Sequence, residues 1–78
     1  MTKWPSDAGK RRVIGALRKL GFEVVREKEH IAMIRRNADG TDTMLTLPSH
    51  ALIKGSTLRT ICSQAGISRS AFLDAYFG

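Results

Sequence analysis

Phe22-Glu23-Val24-Val25-Arg26-Glu27-Lys28-Glu29-His30-Ile31-Ala32-Met33-Ile34-Arg35-Arg36-Asn37-Ala38-Asp39-Gly40-Thr41-Asp42-Thr43-Met44-Leu45-Thr46-Leu47-Pro48 reads as three strands in succession. Phe22 to Arg26 alternates and carries the β-branched pair Val24 and Val25, which suit a pleated surface. His30 to Arg36 is a second strand, apolar enough to be largely buried. Asn37 to Thr41 collects residues that accept positive φ and predicts a hairpin turn. Thr43 to Leu47 is the third strand, closed by Pro48, which has no N–H to give to a ladder. Parallel neighbours need a crossover of about a dozen residues. These connections are too short for that, so the strands form an antiparallel meander.

Helices flank the meander. Ser6 or Asp7 caps a helix that follows through Leu20, with Val13, Ala16, Leu17 and Leu20 as its buried stripe and Ile14 at the edge. Gly21 ends it. Lys10, Arg11, Arg12, Arg18 and Lys19 cover the solvent side, Arg11 above Arg18 and Arg12 above Lys19. Gly15, between these pairs, weakens the helix by about 1 kcal/mol relative to Ala and reads as a tolerated surface glycine. Beyond the meander, Ser56 caps a helix over Thr57 to Ala65, with Leu58, Ile61, Cys62 and Ala65 on one face and Gly66 at its end. Ser68 caps a last helix, Ile67 staples onto Phe72, and Phe72, Leu73, Tyr76 and Phe77 pack inward. The order α-β-β-β-α-α favours an α+β fold: a three-stranded antiparallel sheet with helices packed on one face. Residues 1–78 form a single domain in this reading, with 1–5 loosely ordered and Trp4 half-covering the core.

A chain of 78 residues builds a marginal core and draws extra stability from staples or partners. Cys62 stands alone, so there is no internal disulfide, and no Cys/His cluster offers four zinc ligands; no metal or other cofactor is expected. A second copy in a homodimer, or a partner protein, is the remaining source. No apolar run follows the N-terminal residues and none is long enough to span a bilayer, so the expected location is the cytoplasm, with no membrane contact.

The net charge is +6, and its distribution is uneven. Residues 1–36 hold ten basic and four acidic side chains, whereas residues 37–78 hold three of each. The excess sits on the first helix and the first two strands. Such a field gathers polyanions, which makes nucleic acid the expected partner, RNA before DNA. His30 opens the second strand and His50 follows the third. Histidine is the side chain suited to moving protons near neutral pH.

Leu47-Pro48-Ser49-His50, Lys54-Gly55-Ser56-Thr57-Leu58-Arg59-Thr60-Ile61 and Gln64-Ala65-Gly66-Ile67-Ser68 resemble the C-terminal half of HicA-type toxins, small bacterial mRNA interferases of toxin–antitoxin pairs. Leu20-Gly21-Phe22-Glu23-Val24 and His30 also fall where that family places them, so the resemblance covers nearly the whole chain. It implies a double-stranded-RNA-binding-like fold, metal-independent endonucleolytic cleavage of mRNA, and silencing by a cognate HicB-type antitoxin. The family's catalytic histidine follows Gly-Ser early in the second strand. In this chain it is His30, preceded by the bulkier Lys28-Glu29.

The chemistry suits one histidine among cations. RNA carries its own nucleophile, the 2′-OH, so His30 as general base supplies about 10²–10⁴ in rate. Arg26, Lys28 and Arg35 are candidates to neutralise the phosphate, and Lys10, Arg11, Arg12, Arg18 and Lys19 to guide the RNA. His50 is a secondary candidate whose proline-flanked position suits a structural or antitoxin-facing role. Two alternatives stand beside this: a catalytically weakened RNA-binding relative, and a helix-turn-helix DNA-binding module over residues 56–77. Against the latter, the last helix has Arg69 as its sole positive reader, with Asp74 following.

Overall fold

The computed structural model describes residues 3–78. The elements run β1 (Asp7–Gly9), α1 (Lys10–Lys19), β2 (Glu23–Glu27), β3 (His30–Arg36), β4 (Asp42–Pro48), β5 (Leu52–Lys54), α2 (Gly55–Ala65) and α3 (Arg69–Phe77). The α+β architecture expected from the pattern is present: β2, β3 and β4 form a three-stranded antiparallel sheet in chain order. Across β3 and β4, Ile31 faces Leu47 and Met33 faces Leu45, and all four are buried. Val13, Ile14, Ala16 and Leu17 of α1, Leu58, Ile61, Cys62 and Ala65 of α2, and Phe72, Leu73 and Tyr76 of α3 complete the same core. The helices therefore share one face of the sheet, α2 lying on β4 and α3 on α1. The other face carries Ala32, Ile34, Thr46 and Met44, and Met44 is 65% exposed. Element order and layering are those of a double-stranded-RNA-binding-like fold.

Two short strands were not legible in the pattern. β1 pairs antiparallel with β5, setting Ala8 opposite Ile53, both fully buried. Each strand leads directly into a helix. The Lys10 N–H donates to the Ala51 carbonyl at 2.9 Å, and the Gly55 N–H to the Ser6 carbonyl at 3.2 Å. These backbone bonds stand where side-chain caps were expected. Ser6 and Asp7 lie upstream of α1 rather than at its cap, and Ser56 is already inside α2. The actual N-cap positions are Gly9 and Lys54, extended and without a side-chain cap. Pairing into the ribbon holds those residues extended, and each helix begins as soon as the pairing ends.

Elsewhere the local chemistry matches the sequence reading. Gly21 (φ +97°) follows α1 and Gly66 (φ +71°) ends α2 in the left-handed conformation. Ser68 caps α3 by accepting from the Ala71 N–H at 3.1 Å. Asn37 organises the β3–β4 turn, its amide donating to the hydroxyls of Thr41 and Thr43 at 3.1 and 2.9 Å. Trp4 is half-buried, its ring 5.7 Å from that of Phe72. Phe77 departs from expectation. It is 54% exposed, because α1 and the Tyr76 ring occupy the inward positions.

Two glycines separate packing from propensity. A Cβ on Gly55 would lie 2.6 Å from the Pro5 carbonyl oxygen, whereas one on Gly15 meets nothing within 4 Å. Gly55→Ala should therefore lower stability by about 1–3 kcal/mol through overpacking. Gly15→Ala should raise it by about 1 kcal/mol through helix propensity. Urea unfolding midpoints that move in the same direction for both would contradict this arrangement.

Candidate functional site

A β-bulge decides what stands beside His30. The register of β2 against β3 runs Glu23 to Ile34 and Val24 to Met33, then Arg26 to Ala32 and Glu27 to Ile31, with Val25 as the extra residue. Simple alternation from the half-buried Val24 would turn Arg26 toward the helices. The inserted residue reverses this. Arg26 now shares the open face with Ala32, and Glu27 shares the helix side with Ile31. There Glu27 meets Arg11 of α1 at 3.4 Å, the only ion pair among the described residues.

His30 begins β3 on the open face, opposite Pro48 of β4, and is exposed. It is diagonal to Arg26 across the ladder, a spacing of about 7–8 Å between backbones that a long side chain spans. The β2–β3 connection closes tightly, the Lys28 N–H donating to the His30 carbonyl at 3.1 Å. Arg26, Lys28, Glu29 and His30 together line a depression of about 370 Å³. Glu29 makes no ion pair with His30. The site thus combines an exposed imidazole with two cations and one carboxylate at a strand end.

The remaining cations separate by role. Arg12 stacks over Tyr76, its guanidinium carbon 4.1 Å from the ring centre, and lies 5.4 Å from that of Phe77. Lys19 donates to the Ala75 carbonyl at 3.2 Å. This pair, two helical turns apart, clamps α3 to α1. Arg35 lies over Phe22 at 4.8 Å and donates to Asn37 at 3.1 Å. It is five residues along β3 from His30, roughly 16 Å, and points to the other face. The structure therefore does not bring Arg35 to His30. Arg18 borders a separate depression with Gly21 and Phe22. Lys10 and Arg11 open α1, on the side where Glu27 approaches. His50 is exposed in the connection to β5, two residues past Pro48, and does not line the His30 depression.

Sequence reasoning passed over a second cationic group. Lys3, Lys54, Arg59 and Arg69 border one groove with Trp4. The half of the chain that supplies most of it balances to zero charge, and this hid it. The only available signal was the separation of Lys54, Arg59 and Arg69 from Asp39, Asp42 and Asp74. Among the described residues no group of three or more His, Cys, Asp or Glu side chains is placed to hold a metal ion. None of the helices described is long and apolar enough to cross a membrane. The helix pair α2–α3 is committed to the sheet and to α1, which leaves Arg69, Ser70 and Asp74 as the exposed polar residues of α3.

A family model described as the HicA toxin of bacterial toxin–antitoxin pairs matches residues 11–67, a span that contains β2, β3, β4 and His30. No curated protein and no solved structure matches the chain significantly.

Cys62 is not a nucleophile in this setting. It is buried in the core, and burial pushes its thiol from 9.0 up to about 11. Between those values the unfolded chain loses the thiol proton while the folded chain keeps it, so stability should fall as pH rises from about 9 to about 11. The loss is on the order of 2 kcal/mol and should vanish in Cys62→Ala, as followed by urea unfolding across that window. An equal slope in both proteins would remove Cys62 from the explanation.

Proposed function

Because the chain belongs to the HicA family of bacterial toxins, we propose that it is a metal-independent endoribonuclease acting on mRNA, with His30 as general base. The observation that carries this is the exposure of His30 and Arg26 together on the uncovered face of the sheet, around a depression that Lys28 also borders. In this reading the 2′-OH attacks the adjacent phosphorus and passes its proton to His30. The 5′-oxygen departs and takes a proton from solvent, leaving a cyclic phosphate on the upstream fragment. Arg26 and Lys28 stabilise the charge that builds on the non-bridging oxygens, a contribution of about 10²-fold or more where such a donor is preorganised. A HicB-type antitoxin silences the toxin by covering this face, and the exposed Met44 and Val25 offer it apolar contact.

Lys28 and Glu29 occupy the positions that hold Gly-Ser in the family. Both border the depression with His30, Lys28 adding a positive charge and Glu29 a negative one.

Induced expression should arrest growth, and His30→Ala should abolish the arrest. Purified chain should cleave an RNA oligonucleotide into fragments ending in cyclic phosphate and leave a 2′-O-methyl oligonucleotide intact. Arg26→Gln should lower kcat by about 10²-fold. Equal arrest by both strains would remove His30 from the chemistry. RNA that is bound but never cut would identify a weakened, non-catalytic relative.

A further inference from the structure

The groove beside the start of α2 lies apart from the His30 depression and shares no residue with it. It encloses about 600 Å³. Its walls come from separated parts of the chain: Lys3 and Trp4 before β1, Lys54 at the end of β5, Arg59 on α2 and Arg69 at the start of α3. All four cations are exposed, and among the described residues none makes an ion pair with a carboxylate. Asp7 is the single carboxylate on the lining. The other acidic groups of residues 37–78 are elsewhere, Asp39 tied to Thr41 in the hairpin turn and Asp42 and Asp74 absent from the groove. A net of about three positive charges thus faces one concave space.

The groove is also built rather than incidental. The Trp4-Pro5 segment lies directly on Gly55, whose missing Cβ would collide with the Pro5 carbonyl. Trp4 is held there by Phe72 and lines the groove. Arg59, Arg69 and Trp4 also border a neighbouring depression, so the same two guanidinium groups and indole face both. Planar guanidinium groups suit phosphate oxygens, and an indole beside them suits a base. An acidic peptide needs the first feature and not the second.

We propose that this groove is a second RNA site, which holds the backbone phosphates of a strand whose scissile linkage lies at His30. The proposal rests on the RNA-cleaving reading for its choice of ligand. Lys54 is six residues beyond Pro48, the residue opposite His30. Six residues reach at most about 20 Å, so the two places share one end of the sheet, the groove on the helix side and His30 on the open face, and a strand that serves both turns round that end. The His30 depression then performs chemistry and the groove supplies grip.

Trp4 is the only tryptophan, so its fluorescence reports the groove directly. Titration of the full chain with a 2′-O-methyl RNA oligonucleotide of about ten nucleotides should change Trp4 emission and saturate. Each phosphate contact contributes about 0.7 to the slope of log affinity against log salt, or roughly fivefold in affinity at about 0.1 M salt. The exposed double variant Lys54→Gln/Arg59→Gln should therefore lose about 1.4 in slope and bind roughly 25-fold more weakly, with its thermal unfolding unchanged. Arg59→Lys should keep most of the affinity. Growth arrest and cleavage of unmodified RNA by the same chain report the catalytic reading separately, so its failure is distinguishable from failure of this one. Unchanged affinity and slope in the double variant would overturn the proposal. So would an acidic peptide that changes Trp4 emission where the oligonucleotide does not, since that would make the groove a protein-docking surface.

Discussion

The pairing of Ile31 with Leu47 and Met33 with Leu45 across β3 and β4 is the constraint on which the rest of the molecule depends. These side chains are the sheet's share of the one core that the three helices complete. Their burial leaves no freedom of register, because a slip of one residue would carry the whole apolar set to solvent and bring Ala32, Ile34 and Thr46 inward. The same constraint places His30. As the residue before Ile31 it must point away from the helices, and its partner must be Pro48. An exposed histidine on a strand end is thus a consequence of how the core closes.

The strands and the third helix were legible because their signals are local. β3 begins and ends where its composition said, the Asn37–Thr41 turn carries its own hydrogen-bonding side chains, and Ser68 caps α3. The β1–β5 ribbon was not legible. Three residues on each side give no periodicity, and the partners Ala8 and Ile53 are far apart in sequence. Ser6, Asp7 and Ser56 pulled the reading toward side-chain caps, whereas backbone pairing settles where α1 and α2 begin. The bulge at Val25 was hidden for a related reason. A strand pattern counts residues, and only the partner strand reveals that one of them is extra.

Among the candidate site residues, His30, Arg26 and Lys28 come together as the sequence suggested, and Arg12, Lys19 and Arg35 do not. Nothing in a sequence distinguishes a guanidinium that waits for phosphate from one that covers a ring. Arg12 and Arg35 each lie on an aromatic face, an interaction of about 0.5–1 kcal/mol at exposed sites. The positive balance of the first 36 residues is accordingly an overstatement of its free charge. Part of that charge is employed in holding α3 to α1 and in covering Phe22.

The converse holds for the second half of the chain, whose charge balance of zero conceals a spatial division. Its acidic residues lie in the hairpin turn and on α3, and its basic residues converge on Trp4. Charge counted along the chain and charge counted in space therefore rank the two halves differently. What attracts a polyanion is the field, which sums over positions and ignores chain order. A domain with so small a core uses cations both to hold its helices and to face a ligand. The two uses are separable by one test of geometry: whether an aromatic ring, a carbonyl or a carboxylate of the same chain already answers the charge. By that test Arg12, Lys19, Arg35 and Arg11 are answered among the described residues, while Lys3, Lys10, Arg18, Arg26, Lys28, Arg36, Lys54, Arg59 and Arg69 stand open. Six of the open ones gather at two concavities, Arg26 and Lys28 at the His30 depression and Lys3, Lys54, Arg59 and Arg69 at the Trp4 groove, and there the fold concentrates unanswered charge.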